Sequence, residues 1–575
     1  MYTMMAGSRQ EIREQSPSDD SPVLPIAYYL SNFRQLLNFV VDSYSDILLP
    51  EELAFAADFN ALPEAACRLY VRLLCRKRSV FRLDKLSYPE IDDLPVAARS
   101  LERQGFLRID PELPVDEAAA LFTKAELVEQ VLQHTNYVPS EQAPHRMKRE
   151  AIVALWSSLM VGDESADATI SLASQVTVLA IEQEEFFDVY KLCFFGNPYQ
   201  DMTEFVLRDL GLTQFESYPL DRSYRAFDNR QQLQAHLDYY RLLAALPAYK
   251  DMPAEDLCTV EKLLPDSFDG NLERRIDRTR CALARQLERL EEIQLAEDIY
   301  RRCLRPPARE RRIRLLMKKA AWSDAYSLCT ETLRSPYNDE ENQTVSALAA
   351  RIVRHSGDSF DDPWAYKPPL EQIEVTYTDE SVEILAAQFF ETLGDSHYTE
   401  NVLFDGVFGL AFWDIIFAPL AGAFFNPFQH APSDFYDATF VSSRQDLIDS
   451  RLKELTEHDA LSRIVKQCFI EKQGIQNPMV NWRYLNEPLL DKALQRIPMT
   501  HWLAIFERLL SDTRSNRNGF PDLIVFPDNP LPCPYKLIEV KGPGDTLQKN
   551  QRRWMRFFAD HGIAHSVCNV VWSDT

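Results

Sequence analysis

The Val- and Ile-rich runs LIVF (523–526), KLIEV (536–540) and SVCNVVW (566–572) are the clearest strand-forming segments of the 575-residue chain, and all lie near its C-terminal end. β-Branched side chains suit a pleated surface, so a sheet is expected there. The intervening PDNPLPCPY is too rich in proline for helix. Between the second and third runs, LQKNQRRWMRFFADHG (547–562) is amphipathic and ends at Gly562. Upstream, ENVLFDGVFGLAFWDIIF (400–417) reads as a buried apolar helix. The order helix, two adjacent strands, helix, strand predicts an α/β core with helices packed on a mixed sheet.

Most of the remaining chain repeats its apolar residues at three and four positions, the period of a helix. At roughly 100–200 residues per domain the length predicts about three to five domains. The fold class expected is therefore multidomain and mostly α. Residues 1–22 are polar and read as a disordered tail. Residues 23–120 read as a helical domain, in which AARSLERQGFLRI forms a short helix ending at Gly105 and then an extended piece. That is the pattern of a winged or helix-turn-helix unit. Residues 121–165 form a pair of short helices, and 166–390 an irregular tetratricopeptide-like stack of helix pairs. Residues 391–575 hold the α/β core.

Composition excludes several classes. A formal charge of −25 argues against a protein that coats nucleic acid over its whole surface, though not against a basic groove. Gly is scarce at 16 residues, and neither GxGxxG nor GxxxxGK[ST] occurs. The ten cysteines include no CxxC, so a zinc ribbon is not expected. No secretory segment and no apolar run of 18 residues is present, which points to a cytoplasmic protein with reduced thiols and no membrane partner.

Local charge runs against the total. Arg76, Lys77 and Arg78 lie in the helically spaced stretch ALPEAACRLYVRLLCRKRSVFRL, and Arg146, Lys148 and Arg149 sit where a helix begins. Between Asn271 and Ala320, 15 Lys+Arg face 8 Asp+Glu, with Arg274, Arg275 and Arg278 on one stretch of helix. Such a stretch is either a wall for a phosphodiester backbone or a surface laced with i,i+4 ion pairs, and the sequence leaves both open.

The chemistry lies in the sheet. Asp522 opens the first strand and Glu539–Val540–Lys541 closes the second. Alternation puts Glu539 and Lys541 on one face and Val540 on the other. A tight connection between the strands would bring Asp522 near Glu539. Two close carboxylates stay ionised together only beside a cation, and hard oxygen donors suit Mg²⁺ or Mn²⁺. Lys541 would orient or help deprotonate an attacking water, or balance charge on phosphorus. Of all the lysines, only Lys541 has an acid two residues before it. A Lys and a Glu at a sheet edge can also be edge protection.

The segment NGFPDLIVFPDNPLPCPYKLIEVKGPGDTLQKNQRRWM resembles a VRR-NUC domain, a branch of the PD-(D/E)xK nucleases. With ENVLFDGVFGLAFWDIIF it is similar to the Fanconi-associated nucleases, and the likeness extends over most of residues 30–575. RLLCRKRSVFRLDKLSYPEI and AARSLERQGFL resemble that family's N-terminal DNA-binding region, and LFTKAELVEQVL its SAP-type unit. A zinc finger at the start is lacking, as in a bacterial-type member.

The resemblance implies a restriction-endonuclease-like core and metal-dependent cleavage of branched DNA. The implied activities are a 5′-flap endonuclease and a 5′→3′ exonuclease of phosphodiesterase I type, in interstrand crosslink repair. It implies Glu400, Asp522, Glu539 and the Val540 carbonyl as metal ligands and Lys541 as catalytic lysine. Gln551, on the following helix, is either a residue supporting these or a solvent-facing glutamine. Where some relatives carry Asp-Arg after the glycine-proline turn, this chain has Asp545–Thr546. The expected location is cytoplasmic and nucleoid-associated, and a homodimer is left open. The alternatives are a Holliday-junction resolvase or restriction-type endonuclease, and a non-catalytic DNA-binding repeat scaffold.

Overall fold

A computed structural model describes residues 27–573, apart from 140–142, 162–168, 530–532 and isolated positions within 201–212 and 356–358. The predicted tail at 1–22 lies outside the described residues, as does the end of the 121–165 segment. The chain forms two compact units, 1–213 and 214–575.

In the first unit the helices Tyr28–Tyr44, Pro50–Ala61, Glu64–Leu74 and Glu184–Phe195 enclose an aromatic core. Phe55 lies within 5.7–6.4 Å of the rings of Tyr70, Phe106, Phe186 and Tyr190. The strands here are β1 (Val80–Arg82), β2 (Leu107–Ile109), β3 (Leu113–Pro114), β4 (Thr169–Ile170) and β5 (Val178–Ile181). β1, β5 and β2 form an antiparallel sheet in that order. The predicted short helix is Leu94–Arg103, capped by Asp93, whose carboxylate accepts the Val96 N–H at 2.9 Å. It ends where Gly105 turns left-handed at φ 74°, and β2 follows. Helices Lys124–Gln133 and Arg149–Val161 pack through Leu127, Val131, Ile152 and Trp156, the first of them opened by a Thr123/Glu126 capping box.

The second unit begins with antiparallel helix pairs. Gly270–Arg289 packs on Ile293–Tyr300, and Trp322–Arg334 lies between Ala308–Lys318 and Asp339–His355. Ala284, Ala296, Ala325 and Ala349 are fully buried at these contacts, where small side chains let helices approach. Many cations of the basic stretch hold buried acids: Arg302 pairs with Glu261, Arg311 with Glu288, and Arg309 with Glu341. Ion pairing therefore accounts for much of that positive run.

The C-terminal sheet comprises β6 (Leu370–Val375), β7 (Gly394–Tyr398), β8 (Leu523–Pro527), β9 (Lys536–Lys541) and β10 (His565–Trp572), in the order β6-β10-β9-β8-β7. β10 runs parallel to both β6 and β9, while β8 is antiparallel to β9 and β7. Alternation divides each strand between two cores. Leu523, Val525, Ile538 and Val540 face the Val382–Phe390 helix, through Ala386 and Phe390. Ile524, Phe526 and Leu537 face a larger cluster that includes helices Val402–Ala411, Met499–Ser511 and Lys549–Asp560.

The structure corrects two sequence expectations. Residues 166–390 are not only a stack of helix pairs, since β4, β5 and β6 fall within them, and β7 follows directly after. β5 is only four residues long, β6 is an edge strand with Leu370 69% exposed, and β7 (GDSHY) has no β-branched residue. Tertiary pairing, not local pattern, makes them strands. Nor is 400–417 one helix: it starts at Val402 and breaks at Phe412 before Trp413–Ile416. Glu400 thus stands in the turn ahead of the helix.

Candidate active site

The chain enters the site through Asn518–Gly519–Phe520–Pro521–Asp522. Gly519 sits at φ 94°, and a Cβ there would lie 2.9 Å from the Asn550 side chain. Only glycine meets both demands. Phe520 is buried between Phe404 and Trp554, at ring distances of 4.9 and 3.9 Å, which anchors the turn. The Asn401 side-chain oxygen accepts the N–H groups of Gly519 and Phe520 at 3.1 and 3.2 Å. The Asp522 carbonyl in turn accepts the N–H groups of Thr399 and Glu400 at 2.9 and 3.1 Å. These bonds lock the end of β7 beside the start of β8. They also hold Glu400 at φ 40°, a left-handed conformation that costs an L-residue roughly 1–2 kcal/mol.

The β8/β9 register pairs Leu523 with Ile538 and so carries Asp522 opposite Glu539. Asp522 Oδ2 accepts the Val540 N–H at 2.8 Å across that gap. Glu539 is completely buried. Its Oε1 accepts from Lys541 Nζ at 2.7 Å and from Gln551 Nε2 at 2.5 Å, while its Oε2 is buried with no partner. Gln551 is fixed by its own helix: its Oε1 accepts the Gln548 N–H at 2.8 Å in the capping box that opens Lys549–Asp560.

The electrostatics follow from this burial. Desolvation pushes Asp522 up to about 6; Glu383 and Glu400 push the same way, and the Val540 N–H and Lys541 oppose them. Desolvation pushes Glu539 up to about 8, reinforced by Asp522 and Glu400 and opposed by Lys541. Tyr398, whose hydroxyl donates to Glu400 Oε2 at 3.1 Å, is also raised, first by burial and then by Glu400, Asp522 and Glu383.

Among the described residues no group of three acids, histidines or cysteines closes to metal-ligand spacing, and Lys541 and Gln551 occupy Glu539 Oε1. The donor set nevertheless fits a hard divalent cation. Glu539 Oε2 is buried and unsatisfied, and Asp522 and Glu400 are both near enough to raise the Glu539 carboxyl. Such a group of oxygens is stable ionised only with a cation among them.

The structure brings Glu400, Asp522, Glu539, Val540, Lys541 and Gln551 together. Sequence reasoning missed Glu383 and Tyr398. Glu383 offers only the signal of an acid in the first turn of a helix, after the Ser381 cap. Tyr398 ends a strand that local pattern does not reveal.

The predicted DNA contacts are more scattered. Arg76 lies over the rings of Phe81 and Tyr88, Lys77 is exposed, and Arg78 donates to the Ala120 carbonyl. Arg146 and Lys148 are exposed, but Arg149 is spent on the carbonyls of Ala119 and Phe122. Arg274 pairs with Asp437 at 3.4 Å, and Arg275 donates to the Tyr240 hydroxyl. Arg278 is exposed; with Arg274, Arg305 and Arg514 it lines a cavity of about 570 Å³ that includes none of the sheet acids.

Residues 456–572 match the VRR-NUC domain, and residues 27–108 match the family described as "FAN1, HTH domain". A Fanconi-associated nuclease 1 homolog of Pseudomonas aeruginosa is 34% identical over 96% of this chain and 97% of its own length. The human Fanconi-associated nuclease 1 is 24% identical over 95% of this chain and 62% of its own. A crystal structure of paFAN1 bound to DNA with a 2-nucleotide 5′ flap and a gap superposes with a TM-score of 0.82 at 32% identity, covering 96% of this chain and all of that one. With a VRR-NUC sheet whose inner strands β8 and β9 carry Asp522, Glu539 and Lys541 at their ends, the chain belongs to the Fanconi-associated nuclease 1 family and is a nuclease.

Proposed function

We propose that this nuclease hydrolyses phosphodiesters at 5′ flaps and related branched DNA, in interstrand crosslink repair, with Mg²⁺ or Mn²⁺ as cofactor. The observation that carries the proposal is the unsatisfied Glu539 Oε2 beside Asp522. Glu400, Asp522, Glu539 and the Val540 carbonyl are the residues to hold the cation. Bound there, it supplies the positive charge that neutralises these acids and polarises the phosphodiester.

The protein's own groups do the rest. Lys541, held 2.7 Å from Glu539, offers an ammonium to the charge that grows on the phosphate oxygens. Gln551 fixes the Glu539 rotamer from the helix side. The Phe404–Phe520–Trp554 stack keeps the Asp522 turn stiff. Arg76, Lys77, Arg146, Lys148 and Arg278 are exposed cations that phosphates can reach, and such contacts fix position without reading sequence. The 5′-flap DNA in the related paFAN1 structure supports this substrate class.

The test is cleavage of end-labelled 5′-flap, splayed-arm and four-way DNA by the full chain, with Mg²⁺, Mn²⁺ or a chelator. Cation-dependent cutting of one strand at the flap is expected. Asp522→Asn and Glu539→Gln should each lower it at least about 100-fold, several kcal/mol of lost electrostatic stabilisation. Unaltered cleavage by both variants would refute the assignment. Equal cutting of opposed strands of a four-way junction by a dimer would favour a resolvase instead.

A further inference from the structure

Beside the acidic centre the structure holds a second cavity, of about 480 Å³, lined by Asn401, Asp405, Gln476, Trp482, Arg483 and Arg517 among others. That size falls within the range of small-molecule sites, roughly 300–1,000 Å³. Asn401 joins it to the centre: its amide donates to Glu400 Oε1 at 3.2 Å. The segment 476–485, whose residues 476 and 478–483 line the cavity, is clamped to the Val402–Ala411 helix at two glycines. A Cβ at Gly406 would meet Leu485 at 2.8 Å, and one at Gly409 would meet Val480, Asn477 and Met479 at 2.7–2.9 Å. The Asn477 amide seals the joint by donating to the Gly409 carbonyl at 3.5 Å.

Asp405 is the unexplained group. It is 5% exposed, and its Oδ1 is buried with no hydrogen-bond partner. Leaving such an oxygen unsatisfied costs about 1–3 kcal/mol, so a donor from outside the protein is called for. Around it stand two guanidinium groups, an aromatic ring and a side-chain amide. The Trp482 ring is fixed, since its Nε1 donates to the Ile475 carbonyl at 2.7 Å. Arg517 is steered by the Tyr436 hydroxyl to which it donates. Guanidinium for phosphate, indole for a ring face, and carboxyl plus amide for a polar edge form the complement of one nucleotide.

We propose that this cavity receives an unpaired nucleotide flanking the scissile linkage, its phosphate on Arg483 and Arg517, its base against Trp482, and its Watson–Crick edge on Asp405 and Gln476. The inference rests on the reading of the neighbouring acids as the nuclease centre and adds to it a basis for substrate choice. Every base carries an N–H on that edge, so the subsite would tolerate any sequence. The edge is free only when the nucleotide is unpaired. Extruding one from intact duplex costs a few kcal/mol, and least where pairing is already broken. A continuous duplex is thereby disfavoured relative to a flap or gap.

The experiment uses the full chain and a 5′-flap duplex in which one abasic tetrahydrofuran residue is moved through the positions flanking the cut. At one position kcat/KM in Mn²⁺ should fall about tenfold, the value of one buried hydrogen bond. Asp405→Asn should lower cleavage of the intact flap by a similar factor and show no further loss with the abasic DNA. Gln476→Ala, at an exposed position, is the second variant and should show the same non-additivity. In a parallel measurement with Ca²⁺, 2-aminopurine at that position should brighten on binding, and less so with either variant. A penalty of equal size in intact and variant proteins, or no sensitive position at all, overturns the subsite. Loss of cleavage by every protein on every DNA would count against the nuclease centre alone, and the aminopurine signal would then decide the subsite.

Discussion

Replacing Glu539 by glutamine should remove a pH-dependent loss of stability from the cation-free protein. Glu539 rises from an ordinary 4.5 to about 8 on folding, and Asp522 from 3.8 to about 6. Both are raised acids, so the folded state binds more protons than the unfolded chain between those limits. Their stabilising effect is complete below the unfolded values and is lost as pH rises through the folded ones. One proton is worth about 1.4 kcal/mol per pH unit, so from pH 5 to pH 8 Glu539 alone removes roughly 4 kcal/mol. Glutamine mimics the protonated acid and cannot ionise. The stability difference between variant and wild type should therefore move in the variant's favour by about that amount over the same interval. The Lys541 ion pair forms only with the ionised acid, and its opposition is already contained in the value of about 8, so it leaves this slope intact. Denaturant unfolding in chelator at half-unit pH steps measures it, following the 214–575 unit. Parallel curves for the two proteins would refute the reasoning, because Glu539 would then have no proton to lose in this range.

The same protons govern cofactor binding and the site's supports. Between about pH 6 and 8 the affinity for Mn²⁺, by calorimetry, should strengthen up to tenfold per pH unit as the cation displaces the Glu539 proton, then level off. Gln551→Ala frees the Glu539 side chain and removes a helix cap. It should lower cation affinity or cleavage about 10–100-fold, with a smaller loss in thermal stability. Arg278→Glu should reduce the slope of log K for flap DNA against log salt by about one for each phosphate no longer neutralised, measured by fluorescence anisotropy, with folding unaffected because the side chain is exposed. Gly409→Ala should destabilise the 214–575 unit by about 1–3 kcal/mol, because the new methyl group meets Val480, Asn477 and Met479 below 3.0 Å.

Sequence reading reaches the centre of this site because its signals are local. Asp522 and Glu539 flank strands that announce themselves through LIVF and KLIEV, and a period of two sets Glu539 and Lys541 on one face. The margins of the sheet lie beyond it. β7 pairs with β8 over residues 394–398 with serine, histidine and aspartate among its side chains and no β-branched residue to mark it. β6 owes its place to a parallel partner nearly 200 residues away in sequence. Glu400 is reached only through family resemblance, since a left-handed turn set by Asn401 and the Asp522 carbonyl leaves no periodic trace. A triple reversal of Arg274, Arg275 and Arg278, which composition alone would suggest, is a poor experiment. Arg274 holds Asp437 and Arg275 holds Tyr240, so a fall in DNA binding would mix charge with misfolding.

These failures share a cause with the chemistry. Glu400 in a left-handed turn and Glu539 buried with a bare oxygen are conformations that local physics disfavours, and each persists only because its surroundings fix it. The surroundings are visible: Asn401 ties two chain segments, Gln551 spends one amide on both a helix cap and an acid, and Phe404, Phe520 and Trp554 stack beneath the turn. A polar centre without that framework would relax by swinging its acids into water. The stiffness of the framework keeps Glu539 Oε2 buried without a partner, with Asp522 and Glu400 near enough to raise its carboxyl, and in the cation-free protein a proton takes up the repulsion that an entering cation would relieve.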